Sequence, residues 1–279
     1  MTIRVVTDST CDLPEATRAA HDITVIPLFI NIGPQSYRDG VDLSRQEFYR
    51  QLPHYPHHPT TAAPSLGMFR ETYERLADEG ATEVLSIHIS SSLSSTVDAA
   101  RLAAQQTDAV RVTVFDSRQL SMGTGFLVEM AARIAAEGRT LGEILAALDA
   151  QIARTFTAAM LDTMEYLRRS GRVNGAVAGL GNLLQIKPLL KMYEGVAGSE
   201  RVRTRDQAFK RLVALVAERA PLEKLAIVHT HAAEAAEALR QQIAHLLPGG
   251  DIPSMDVTPV LGVHLGPGAV GFSSVSAGQ

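Results

Sequence analysis

Tryptophan is absent from this 279-residue chain, cysteine occurs once, at Cys11, and no apolar run approaches the length of a membrane span. Each absence removes a class of protein. A spanning helix needs about 18 or more consecutive apolar residues, so a soluble protein is expected. A single thiol can neither close an internal disulfide nor share a four-ligand zinc site, which agrees with a reducing compartment. Asp8 and Asp12, its acidic neighbours, disfavour a thiolate. The first nine residues pass from a short β-like stretch into polar ones without the apolar core and small-residue cleavage site of a secretory signal, so the expected compartment is the cytoplasm.

Aromatic residues make up only 5% of the chain against 46% hydrophobic. The core is therefore aliphatic, and stacking platforms for single strands or sugars are scarce. A net charge of −4 with scattered basic residues lacks the electrostatic footprint of a nucleic-acid binder. No Gly-x-Ser-x-Gly elbow, Walker loop or Gly-x-Gly-x-x-Gly after the first strand occurs, so nothing supports ordinary hydrolase, nucleotidase or dehydrogenase chemistry. No cofactor is implied.

What is present is an alternation of β-branched runs and helical patterns. Residues 3–7 read as a strand and 13–21 as a helix; 23–32 is a second β-branched segment, followed by turn residues at Gly33-Pro34 and Asp39-Gly40. Ser44 and Glu47 have capping-box spacing, starting a helix through about Leu52. Residues 53–64, with four prolines and three histidines, read as a loop. Ser65 opens an amphipathic helix with Phe69, Tyr73 and Leu76 on one face. Residues 84–89 form a strand, 90–96 a turn into a helix with a small-residue face at Ala99, Ala100, Ala103 and Ala104, and 110–115 the next strand. Residues 123–136 and 140–156 read as successive helices. Beyond them come the glycine-containing stretch 170–181, apolar 183–190, a hairpin around Glu194-Gly195, helix 205–219, strand 225–229, helix 232–247, and a strand over 255–263 that ends in His264-Leu265-Gly266-Pro267-Gly268. The pattern is that of an α/β protein with two α/β domains. Residues 1–155 form an N-terminal domain with a mainly parallel sheet and helical crossovers. Residues 156–279 form a C-terminal domain with a mixed sheet and helices.

Ser90-Ser91-Ser92-Leu93-Ser94-Ser95-Thr96 sits at a strand-to-helix junction, where unpaired backbone N–H groups and the positive end of the helix dipole suit an anion. Capping uses one serine; five leave hydroxyls to explain. Thr60-Thr61 is a second hydroxyl cluster, and Asp8-Ser9-Thr10 would lie at the same sheet edge. His264 follows an apolar run in a loop whose glycines permit close approach to a ligand. His229 and His231, two apart at a strand end, are expected to aim at one side but lack the acidic or thiol cluster of a metal site. His54, His57 and His58 are expected to be exposed. Arg168, Arg169 and Arg172 form one basic patch and Arg201, Arg203 and Arg205 another; solvated surface is the plain reading, docking of an acidic partner or an anionic lipid surface the functional one.

Taken in order, Asp8-Ser9-Thr10-Cys11-Asp12-Leu13-Pro14, Tyr37-Arg38-Asp39-Gly40, Pro59-Thr60-Thr61-Ala62-Ala63-Pro64-Ser65, the 90–96 turn, Asp116-Ser117, Ser170-Gly171-Arg172, Ile186-Lys187-Pro188 and the His264 segment resemble the DegV family, the fatty-acid-binding subunits of bacterial fatty acid kinase. The resemblance runs nearly end to end. It implies two α/β domains with an acyl chain between them. It also implies a long-chain fatty acid whose carboxylate is held by the Thr61 and Ser94 hydroxyls, with the Ser95 N–H nearby and His264 reaching the head group. The partner it implies is a separate ATP-binding kinase subunit that makes the acyl-phosphate. On that resemblance the chain is a carrier with no catalytic residue of its own. From the two basic patches, Arg172 and Arg205 are the expected partner-facing residues. Where the family commonly has Leu-Ser-Gly-Thr, this chain has Leu93-Ser94-Ser95-Thr96, so a positive φ at Ser95 would carry strain. A reading from another class is a self-sufficient transferase or hydrolase using His264 or His231 with a serine; a third is a lipid-sensing module that docks another protein through Arg172 and Arg205.

Overall fold

A computed structural model describes residues 2–171, 187–249 and 252–278. Arg172 and the remainder of the 172–186 stretch lie outside the described residues.

The first half builds a parallel sheet from β1 (Ile3–Asp8), β2 (Thr24–Ile26), β6 (Glu83–His88) and β7 (Arg111–Asp116), in the order β2-β1-β6-β7. All six residues of β6 are buried, as expected of a strand covered on both faces. Helices α3 (Leu66–Asp78) and α4 (Thr96–Gln105) cover one face, where Phe69, Tyr73, Leu76, Ala100 and Ala103 close on Val6 and Val84. The Ser65 hydroxyl accepts the Met68 N–H at 3.3 Å and caps α3. Two departures shape the site. The expected 23–32 segment breaks at Pro27, which has no N–H to continue a ladder, so β3 (Phe29–Ile32) leaves the parallel sheet. It pairs instead with β4 (Gln35–Arg38) and with β5 (Thr60–Ala62), a short strand inside the segment read as a loop. Thr61 thereby sits in register with Ile30. After α1 (Glu15–Ala20), helix α2 (Arg45–Gln51) starts at Ser44, whose side chain accepts the Glu47 N–H at 3.2 Å.

Helix α5 (Met122–Ala136) is apolar around most of its circumference, the pattern of a helix buried on all sides. It packs on β1 and β6 on one side and on the second sheet on the other; α6 (Leu141–Ile152) lies against it, opened by a capping box of Thr140 and Glu143. The second sheet runs β10-β9-β8-β13-β11-β12, from β8 (Thr155–Met160), β9 (Lys187–Tyr193), β10 (Val196–Val202), β11 (Leu222–His229), β12 (Ser254–Asp256) and β13 (Val270–Ser276). It is mixed: β11 and β12 are parallel and the other pairs antiparallel. Glu194 and Gly195 both have positive φ, as a two-residue hairpin turn demands. Beyond the short α7 (Glu165–Arg169), α8 (Arg205–Arg219) and α9 (Ala233–Gln242) cover the outer face, with Leu212, Val216 and Leu239 on Ile227 and Phe272. The result is five layers, helix–sheet–helix–sheet–helix. Among the described residues no helix is long and apolar enough to cross a membrane.

Two expectations are corrected here, and one strand is added. The helix expected through 156 ends at Ile152, and Phe156 belongs to β8. The strand expected over 255–263 stops at Asp256; Thr258 and Pro259 instead start α10 (Pro259–Leu265), where proline fits the first turn because its missing N–H has no helical partner. Strand β13 was not anticipated from Val-Gly-Phe-Ser-Ser-Val-Ser, yet Ser273 and Ser274 are buried in it.

Candidate functional site

A cavity of about 150 Å³ lies between the N-terminal end of α5, the second sheet and α10. Leu28, Ile89, Leu93 and Leu120 wall it from the first half, and Ala159, Val228, Leu261 and Leu265 from the second. Apolar cavities of this size exclude water and take apolar occupants. Its wall is interrupted by few polar side chains, and Thr61, Ser94 and His264 are among them. Three residues read separately along the sequence therefore meet at one site. Thr61 Oγ1 lies 3.2 Å from His264 Nε2 across 203 residues of chain.

His264 reaches the cavity from α10, not from a loop after a strand. Gly262 seats that helix: a Cβ there would fall 2.5 Å from Tyr49 Oη and 2.8 Å from its Cζ. Tyr49, fully buried on α2, donates its hydroxyl to Val257 O at 3.0 Å. Helix α2 thus fixes how far His264 projects.

At the other polar edge, the Ser94 hydroxyl accepts the Thr96 N–H at 3.3 Å and lies 2.8 Å from Thr96 Oγ1 while facing the cavity. The other serines of the run are used within the turn: Ser90 and Ser92 Oγ atoms are 2.9 Å apart, and Ser91 donates to Asp116 at 2.5 Å. Ser95 is the N-cap of α4 with φ −77°, ordinary backbone, so no positive φ is required where the family carries glycine. Its side chain is exposed and not part of the cavity wall.

His229 and His231 do not face one side. His229 is buried with Nδ1 2.9 Å from Asp256 Oδ1, whereas positive φ at His231 breaks the strand alternation and leaves it exposed. His58 is only half-exposed, its ring 5.6 Å from Tyr166. Among the described residues no group of His, Cys, Asp and Glu is arranged to hold a metal. Cys11 is buried, and burial, reinforced by Asp8 and Asp12, pushes its thiol up to about 12. Arg205 opens α8 and pairs with Asp162 at 2.7 Å, a carboxylate shared with Lys187 at 3.2 Å.

Sequence reasoning missed the polar seam that joins the halves beside the cavity. Asp12, fully buried with φ 56°, accepts the Thr258 N–H at 2.7 Å and the hydroxyl of cavity-lining Ser121 at 2.6 Å, and lies 3.1 Å from Arg45. The Thr258 hydroxyl donates in turn to Asp39. Asp12 and Asp39 lay within the quoted motifs, but nothing local connects them to Thr258. Burial pushes the Asp39 carboxyl from 3.8 to about 6, against the opposing pull of Ser9, Thr258 and Arg45.

A pH prediction follows, with the sign set by that shift. Between about pH 4 and pH 6 the native state retains the Asp39 proton that the unfolded chain releases, so stability falls as pH rises through this window and then levels. The loss is on the order of 3 kcal/mol at most. Asp39→Asn is expected to abolish this fall. Urea unfolding of both proteins across the window checks it, and parallel pH profiles would refute it.

Fold and site together define a two-domain α/β protein built around an apolar cavity with a small polar patch of hydroxyls and one imidazole. The chain belongs to the DegV family: the model of that family, described as an uncharacterised protein, matches residues 2–277. A DegV domain-containing protein of Streptomyces coelicolor is 36% identical over 275 residues, covering 96% of each chain. Among solved structures, a Thermus thermophilus DegV family protein described for its fatty acid binding superposes with a TM-score of 0.90 at 35% identity, covering 99% of this chain and 100% of its own. DegV of Bacillus subtilis, described as a fatty acid binding protein, gives 0.92 at 31% identity with the same coverage.

Proposed function

We propose that this chain binds one long-chain fatty acid in the cavity and presents its carboxylate to a separate ATP-dependent kinase subunit for acyl-phosphate formation. The observation that carries the reading is the convergence of Thr61, His264 and Ser94 on a mainly aliphatic cavity beside the N-terminus of α4. Acyl burial contributes roughly 25 cal/mol per Å² of apolar area, while a few aimed donors decide which end faces outward. Hydroxyl, imidazole and the Ser95 N–H hold the carboxylate without an arginine clamp, which would stabilise the anion strongly and oppose its attack on ATP. On this reading residues 1–155 carry the carboxylate loops and residues 156–279 complete the acyl pocket. The chain is a cytoplasmic carrier, with transient contact at a membrane surface when it exchanges lipid. Arg172 and Arg205 face the kinase subunit.

Mass spectrometry of lipid extracted from the purified chain tests the ligand. A long-chain fatty acid at about one per chain is the expected result; delipidated chain that takes up none overturns the reading. Mixed with the kinase subunit and ATP, loaded chain is expected to yield acyl-phosphate, and charge reversal at Arg172 and Arg205 to reduce that yield without reducing fatty-acid uptake. Acyl-phosphate made by the chain alone would assign the chemistry here instead.

A further inference from the structure

Beyond the carboxylate patch, Thr10, Ser121 and Lys191 of the cavity wall are bonded to Asp8, Asp12 and Glu200, which leaves Thr157. On the second sheet, Thr157 of β8 lines the cavity and faces Ser273 of β13 across the ladder, with their hydroxyl oxygens 2.9 Å apart. Both side chains are buried. The pair carries two protons and needs only one between its members, and neither hydroxyl has a further partner among the described residues. Beside it stands Gln119, completely buried. Its Nε2 donates to Thr155 O at 3.1 Å and to Met192 O at 3.5 Å. Two carbonyl acceptors fix the amide orientation, because the carbonyl end cannot donate to them. The atom turned the other way, Gln119 Oε1, is buried with no partner among the described residues. A Cβ on Gly123 would lie 2.7 Å from Thr157 Oγ1 and 2.8 Å from Gln119 Oε1, so both oxygens flank one face of that glycine.

The wall formed by the second sheet, rather than by β5 and α10, therefore offers a spare hydroxyl proton at Thr157, with the orphaned Gln119 acceptor behind the lining residues. Leaving such groups unpaired against a bare alkyl chain is costly. A group that both donates and accepts would satisfy them, and an alcohol has that capacity. The geometry points to a fatty acid carrying a hydroxyl along its chain as the preferred ligand, the hydroxyl meeting Thr157 while the carboxylate occupies the patch at Thr61. This rests on the fatty-acid reading above and names the substrate class within it.

Delipidated full-length chain, titrated with stearate and with monohydroxystearates whose hydroxyl is walked along the chain, tests the inference. One positional isomer is expected to bind roughly three- to tenfold tighter than stearate, the worth of one hydrogen bond in a buried site. In Thr157→Val, which keeps the shape and removes the hydroxyl, the ratio between that isomer and stearate is expected to fall to about one; Thr157→Ala gives the same readout if the valine variant does not fold. Tight stearate binding with every hydroxystearate weaker overturns the inference, assigns a bound water to the polar pair and leaves the fatty-acid reading standing. Binding of no fatty acid of either kind overturns both.

Discussion

Replacing Asp8 with alanine is expected to destabilise the protein by on the order of 3–5 kcal/mol, the cost of stripping the acceptor from a buried charged network. The carboxylate is completely buried and its two oxygens serve four donors. Oδ1 accepts the Thr10 N–H at 3.0 Å and the Thr10 hydroxyl; Oδ2 accepts the Ile89 N–H and His88 Nδ1, each at 3.0 Å. Behind the imidazole, His88 Nε2 lies 2.7 Å from Ser86 Oγ, which lies 2.8 Å from Tyr73 Oη. Read as Tyr73 to Ser86 to His88 to Asp8, every hydroxyl and ring N–H in the chain donates once. Burial alone would push the Asp8 carboxyl up, but the bonds from His88, Thr10 and Ile89 outweigh it and hold it below 3.8. The network resembles a catalytic triad only in composition: Ser86 is fully buried within β6, its hydroxyl turned toward Tyr73 of α3. Its consequence is positional, because Thr10 and Ile89 both line the cavity. Denaturant unfolding of Asp8→Ala checks the prediction, and a loss below about 1 kcal/mol would show that the four donors find other partners.

The parts of this molecule legible from sequence are those where local pattern and tertiary position agree. Strands β1 and β6 lie buried in the parallel sheet and β7 forms its half-buried edge, so short apolar and β-branched runs mark them, and Phe69, Tyr73 and Leu76 fall on one face because α3 has only one face to bury. The hydroxyl-rich turn before α4 was visible as a binding signal. That Ser94 alone of its five serines reaches the cavity was not, because it depends on how the turn folds on itself and onto Asp116. The run from Met255 to Val263 reads as a strand through its valines, while the helical stop-and-start at Thr258-Pro259 is a two-residue signal. Misreading it put His264 in a loop, yet the residue lines the cavity from α10, and a polar ring among glycines is unusual in either element. The seam from Asp12 to Thr258 spans 246 residues. No periodicity reports such a contact; only the folded position of α5 between two sheets brings Asp12, Ser121 and Thr258 together.

The largest effect on ligand binding is expected at the head group. If Thr61 and Ser94 hold the carboxylate, each removes a hydrogen bond to a charged group, about 1.5–3 kcal/mol, when changed to alanine. Fatty-acid affinity of the delipidated chain should then fall at least roughly tenfold for each single variant. The double variant should lose less than the product of the two, because both hydroxyls serve one carboxylate. A drop in affinity alone would not separate a head-group role from damage to the cavity, since Ser94 also accepts the Thr96 N–H and Thr61 also meets His264. The fatty-acid methyl ester makes that separation. It has the same tail without the charge, so in the unaltered chain the free acid should bind better than its ester. In Thr61→Ala and Ser94→Ala that preference should shrink, with the ester losing little. Equal weakening of acid and ester would place both hydroxyls in the architecture of the cavity and take the carboxylate away from them.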